Sequence, residues 1–142
     1  MLFLAADHAG FKQKEFVGNR LAKRNIVFED FGTFNDEPVD YPAYAKQVAK
    51  AVSKHNGRGI LFCGSGQGMA MAANRFRNVR AAVVWSQAIA AETREDNDAN
   101  IVSLPSRFID NETAWEIVST FLSTTFSHAT RHQRRIKQLD EK

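Results

Sequence analysis

Residues 59–74 read Gly-Ile-Leu-Phe-Cys-Gly-Ser-Gly-Gln-Gly-Met-Ala-Met-Ala-Ala-Asn. An apolar run breaks into three alternating glycines and then resumes at helical spacing, the pattern of a strand, a tight loop and a helix. Gly64, Gly66 and Gly68 are expected to take positive φ and let the backbone approach a ligand closely. The helix behind them points free N–H groups and its positive end at the loop, which makes a seat for an anion. The nucleotide-binding loops share this logic but carry Gly-Lys-Ser/Thr or Gly-x-Gly-x-x-Gly, and neither is present. Instead Cys63, the only cysteine, ends the strand, and Ser65 follows two residues on. A thiol at that place is expected to feel the helix dipole, which lowers its pKa and favours thiolate.

Strand–helix units repeat on both sides of this stretch. Upstream, residues 1–6 form a short apolar strand that ends at Asp7-His8-Ala9-Gly10, and Phe11, Phe16, Val17 and Leu21 recur at roughly helical spacing. Residues 26–31 read as a second strand, and Tyr41-Pro42 opens a helix through Tyr44, Val48 and Val52 that Asn56-Gly57 stops. Downstream, residues 80–85 read as a fourth strand, Ser86 as the N-cap of a helix to about residue 95, and 96–100 as a loop. Residues 101–104 give a fifth strand, after which Asn111 or Thr113 opens an amphipathic helix through Trp115, Ile117, Val118 and Phe121. Residues 131–142 read as a last basic helix, free to leave the globule. Five strands alternating with helices predict one α/β domain over residues 1–142, its parallel sheet covered on both faces. Ligands of such sheets sit beyond the strands' carboxyl ends. That rule is expected to bring Asp7-His8, the Cys63 loop, the Asp96-Asn97 loop and Arg107 to one edge.

Composition narrows the function. At 142 residues and 44% apolar, the chain is long enough to bury one core. A single cysteine makes no internal disulfide and the chain enters a strand at once, so a cytoplasmic protein is expected. No apolar run approaches the ~18–20 residues that span a bilayer. The net charge of +3 is modest, and much of it sits in residues 131–137. A nucleic-acid surface is usually broader and interleaved with aromatics. Nothing has metal-ligand spacing or a serine nucleophile elbow, so no metal or other cofactor is expected.

Three groups of residues carry two readings each. Asp7-His8 offers hydrogen bonds to hydroxyls and a cation for phosphate, or a helix cap. Cys63 is a reactive thiol, or a buried small residue with inert sulfur. Arg131 and Arg135, one helical turn apart, converge on an anion, or form a solvated face.

Taken together, Ala6-Asp7-His8-Ala9-Gly10, Val39-Asp40-Tyr41-Pro42, Cys63-Gly64-Ser65-Gly66-Gln67-Gly68 with Ala72-Ala73-Asn74, Asn97-Asp98-Ala99-Asn100 and Arg131-His132-Gln133-Arg134-Arg135 resemble ribose-5-phosphate isomerase type B and its sugar-phosphate isomerase relatives, including galactose-6-phosphate isomerase. The resemblance implies a Rossmann-like three-layer sandwich, a homodimer or homotetramer with active sites shared between subunits, and metal-free interconversion of aldose and ketose phosphates. It implies that Cys63 moves a proton between C1 and C2 through a cis-enediolate. The amides around Gly64, Gly66, Gln67 and Gly68 then hold the enediolate oxygen, and Ser65 handles the proton between the two oxygens. Asp7 and Tyr41 bind sugar hydroxyls, Asn97 the substrate oxygens, and His8, Arg107, Arg131 and Arg135 the phosphate, some of them across the interface.

Two positions depart from the family. Asp96 stands where ribose-phosphate isomerases carry the histidine that opens the furanose ring, and a carboxylate of ordinary pKa is ionised at neutral pH. Ala129-Thr130 replaces a common pair of glycines. Ribose 5-phosphate is the default substrate. The alternatives are an open-chain tetrose phosphate, which needs no ring opening, and a sugar-phosphate-binding accessory subunit without turnover.

Overall fold

The computed structural model describes residues 1–141. Its elements run β1 (Leu2–Ala6), α1 (Phe11–Lys23), β2 (Glu29–Asp30), α2 (Tyr41–His55), β3 (Arg58–Cys63), α3 (Gln67–Ala73), β4 (Ala81–Val83), α4 (Gln87–Asn97), β5 (Ile101–Pro105), α5 (Asn111–Ser123) and α6 (Thr130–Leu139). The five strands pair in the order β2-β1-β3-β5-β4, all parallel. The order reverses between β1 and β3, so the crevice at their carboxyl ends is the switch point where such sheets bind ligands.

Strand periodicity divides the core into two layers. Leu4, Ala6, Ile60, Phe62, Val102 and Leu104 face α1, α4 and α5, where Val17, Leu21, Ala90, Ile117, Val118 and Phe121 meet them. The alternate residues Phe3, Ala5, Leu61, Cys63 and Ile101 face α2 and α3, against Val48, Val52, Met69 and Ala73. This is the expected three-layer sandwich, and it buries β1 and β5 on both faces. Phe62 is fully buried; cutting it to alanine costs about 3–5 kcal/mol through lost transfer energy and a cavity.

Three local expectations change. The strand expected over residues 26–31 is only Glu29–Asp30. The Ile26 N–H is taken by Leu21 O at 3.0 Å in the close of α1, and pairing with β1 instead continues past Asp30, Phe31 N to Leu4 O at 2.9 Å and Thr33 N to Ala6 O at 2.8 Å. The strand expected over residues 80–85 is the three-residue edge strand β4. Asn111, one of the two expected starts, opens α5, and Asp110 before it is the N-cap, its Oδ1 accepting from Thr113 N at 2.7 Å. Ser86 caps α4 as expected, but the helix runs to Asn97 and closes on Asp98 in the left-handed region at φ 46°. Asp96 and Asn97 therefore occupy a last helical turn, not a loop. The buried Arg94 holds that turn through Asp98 Oδ1 at 2.8 Å and Ala99 O at 2.7 Å.

The last helix does not leave the globule. Although α6 is basic, His132 is buried against α4, and the Asp140 carboxylate accepts from Asn78 N at 3.2 Å. Lys142, the end of the helix expected over residues 131–142, lies outside the described residues. Among the described residues no helix is long and apolar enough to cross a membrane.

Candidate active site

The Cys63 loop is built from contacts that demand glycine. Only Gly66 has positive φ, at 76°, and it serves as N-cap of α3; the expectation that Gly64 and Gly68 share this conformation is not met. Those two leave room for side chains packed on the loop. A Cβ on Gly64 would lie 2.8 Å from the Arg107 guanidinium, and one on Gly68 would lie 2.4 Å from the Tyr41 ring. The loop thus carries Arg107 on one side and Tyr41, the first residue of α2, on the other. Ser65 and Gln67 are exposed at its tip, where Gln67 N donates to Ser65 Oγ at 3.4 Å. Ser103 Oγ donates to Gly66 O at 2.7 Å and ties the loop to β5.

Beside this loop lies the turn after β1. The buried Asp7 accepts from Ala9 N at 2.9 Å and Gly10 N at 3.0 Å through Oδ1 and so closes the turn after β1. It does not cap α1, whose N-cap is Gly10 without a side-chain hydrogen bond, so the helix-cap reading is not met. The carboxylate also reaches the Cys63 thiol. His8 Nδ1 accepts from Val39 N at 3.1 Å, so the neutral ring carries its proton on Nε2.

The thiol pKa moves opposite to expectation. Burial pushes the Cys63 thiol up from its ordinary value, and the negative charge of Asp7, which also accepts the thiol hydrogen bond, pushes it further. The N–H groups of Gly66 and Ser65 pull it down without prevailing. Desolvation of a charge outweighs two amides and a helix of only seven residues.

The remaining candidates are not here. Helices return antiparallel to the strands they follow, so the end of α4 lies at the amino ends: Asn97 O accepts from Arg80 Nε at 3.2 Å just before β4, and Asn100 O accepts from Gly59 N at 2.8 Å near the start of β3. Cys63 is at the other end of β3, about 16 Å of strand away. The expectation that Asp96-Asn97 shares an edge with Asp7-His8, Cys63 and Arg107 is thus overturned. At the amino end Asp96, Asn97, His132 and Arg135 line one cleft between α4 and α6, with Asp96 Oδ1 3.2 Å from His132 Nε2. Arg131 is exposed on the same helix. Among the described residues no group of three or more His, Cys, Asp or Glu side chains stands where it could hold a metal ion.

Comparison with known proteins adds the family. The sequence profile of the ribose/galactose isomerases matches residues 2–139. The chain belongs to that family. It is 38% identical over 134 residues to ribose-5-phosphate isomerase B of Escherichia coli, covering 94% of this chain and 89% of the relative. The solved ribose 5-phosphate isomerase of Thermotoga maritima superposes with a TM-score of 0.96 at 47% identity, over 99% of this chain and 97% of that one. Ribose-5-phosphate isomerase B of Mycoplasma genitalium, solved with bound ribulose 5-phosphate, gives 0.92 at 38% identity, over 97% and 92%. The protein is accordingly a sugar-phosphate aldose–ketose isomerase, and its sheet is the fold of these relatives.

The side chains missed in the sequence are Lys14 and Asp30. Lys14 falls between Phe11 and Val17 on the stripe that buries α1, and that spacing was its signal.

Proposed function

We propose that this isomerase interconverts ribose 5-phosphate and ribulose 5-phosphate with Cys63 as the carbon base. The observation that carries the reading is the arrangement of the Cys63 thiol at the β3 terminus between Asp7 and the loop amides, with Arg107 packed on the same loop. The thiolate takes the proton from C2 of the open aldose, the C2–H electrons form the C1–C2 double bond, and the carbonyl electrons move onto O1 as a cis-enediolate. The N–H groups around Gly64, Gly66, Gln67 and Gly68 face the developing charge. Ser65 passes a proton between O2 and O1, and the Cys63 S–H returns its proton to C1, which leaves the ketose and restores the thiolate. Asp7 and Tyr41 take sugar hydroxyls, while His8 and Arg107 take phosphate oxygens.

Asn97, Arg131 and Arg135 complete the site from a second copy of the chain. Their own Cys63 lies a full strand length away, farther than a five-carbon sugar phosphate reaches. A symmetric dimer gives two such shared sites.

A tetrose phosphate is the second reading, favoured by one observation: the position that faces the ring carries the Asp96 carboxylate, paired with His132 rather than an imidazole of its own. A substrate panel decides between the two. Replacing Cys63 with alanine tests the common core: turnover falls by orders of magnitude while substrate affinity stays within a few-fold, because a base acts on the transition state. Near-normal turnover removes Cys63 from the role.

A further inference from the structure

Lys14 is the anomaly of the buried core. Its side chain is 0% exposed on α1, where an apolar residue would complete the stripe. The ammonium pairs with the Asp30 carboxylate and with Glu15 Oε1 at 3.0 Å, and it faces the rings of Phe34 and Phe11 at 5.2 and 5.7 Å. A buried ion pair is a poor stabiliser, since matched apolar residues do as well or better. What such a pair does supply is a defined geometry for the backbone it holds.

That backbone leads to the site. Asp30 Oδ1 accepts from Gly32 N at 2.8 Å, so the carboxylate held by Lys14 sets the start of residues 30–39. Next, Gly32 O accepts from Ala6 N at 2.6 Å, Thr33 N donates to Ala6 O at 2.8 Å, and the buried Thr33 carries the segment across the carboxyl end of β1. The segment ends on Val39, whose N–H at 3.1 Å occupies His8 Nδ1. It is therefore a strap that starts at Lys14–Asp30, pairs with β1 through Phe31, Gly32 and Thr33, and ends on His8. The Val39 N–H at Nδ1 fixes the neutral ring with its proton on Nε2.

We propose that Lys14, through Asp30 and this strap, is a positioning residue that holds His8 in the tautomer that donates to the substrate phosphate. The assignment of phosphate to His8 rests on the functional reading above; the strap and its two anchors do not. Loss of the ion pair leaves the fold and the pairing with β1 standing but loosens the start of the strap, so the Val39 N–H donates to Nδ1 less firmly and the tautomers of the ring mix.

The test is the double variant Lys14→Met with Asp30→Asn, which removes both charges and keeps a carbonyl oxygen for Gly32 N–H. Nitrogen-15 NMR of the histidines reads the tautomer without any substrate. Wild type shows His8 unprotonated at Nδ1, whereas the variant shows a mixture. On ribose 5-phosphate the variant's KM rises as the Nε2–H fraction falls, about twofold for an even mixture, with kcat unchanged, because only the competent tautomer binds and the contact serves ground and transition states alike. The melting temperature stays at or above that of wild type. An unchanged His8 spectrum overturns the proposal whatever the kinetics, as does a KM rise that merely follows a fall in melting temperature. Should the double variant not fold, Asp30→Asn alone is read by the same spectrum with the same two outcomes. A wild type that turns over no sugar phosphate overturns the functional reading and leaves the spectrum to judge the strap.

Discussion

Asp96 Oδ1 lies 3.2 Å from Nε2 of the buried His132, so the carboxylate at this position is oriented by an imidazole from α6. This pair separates the two candidate substrates. On the ribose reading, wild type converts ribose 5-phosphate efficiently and Asp96→His adds nothing. On the tetrose reading, erythrose 4-phosphate is the faster substrate, since its phosphate blocks O4 and no furanose forms. Asp96→His then raises turnover on ribose 5-phosphate alone, within the ~10²–10⁴ range of acid–base assistance. Steady-state rates on both substrates, for both proteins, decide it.

Cys63 and Arg107 meet at Gly64 within one chain, whereas Arg135 lies at the far end of the sheet. Mixing an inactive Cys63→Ala protein with an inactive Arg135→Ala protein therefore restores activity, to about a quarter of wild type if subunits reassort at random in symmetric dimers. Mixing Cys63→Ala with Arg107→Ala restores none. Recovery in the second mixture and not the first would refute the division of the site.

Gly68→Ala places a methyl group 2.4–2.6 Å from the Tyr41 ring and hydroxyl. Either Tyr41 swings away or the loop shifts, and both disturb the sugar-hydroxyl side of the site. KM is expected to rise several-fold, with the fold intact by circular dichroism. Pairing the change with Tyr41→Ala relieves the clash, so the double variant is no worse than Tyr41→Ala alone.

The pH dependence follows from the raised Cys63 pKa. The reactive form is the thiolate, so kcat/KM climbs with pH and its ascending limb extends above the ordinary thiol range. Relief of the Asp7 charge moves that limb down: Asp7→Asn shifts the midpoint to lower pH even as it costs substrate binding. A limb that stays put in Asp7→Asn excludes the carboxylate as a cause.

Much of the sheet was legible because strand parity and glycine punctuation are local signals. The Cys63 loop announced itself through Gly64, Gly66 and Gly68, and Asn56 stops α2 as expected, in the left-handed conformation. The edge strands were harder: β2 and β4 are short and each pairs with a single neighbour, which residues 26–31 and 80–85 do not encode. Asp96 and Asn97 were misplaced for a similar reason. Polar residues at a helix end look like loop, and only the Arg94 clamp reveals that α4 continues through them.

The sequence by itself determined the α/β order and the glycine loop after β3, because each depends on neighbours a few residues apart, and its motif residues carried the resemblance to the sugar-phosphate isomerases. The tertiary structure alone decided which of those residues stand together. Strand order and the antiparallel return of helices sent Asp96, Asn97 and Arg135 to the amino end and left Asp7, His8, Tyr41 and Arg107 with Cys63. It also reversed the sign of the thiol shift, since burial and the charge of Asp7 arrive from outside the loop. And it turned Lys14, one lysine among many in the sequence, into a buried anchor by folding Asp30 onto it.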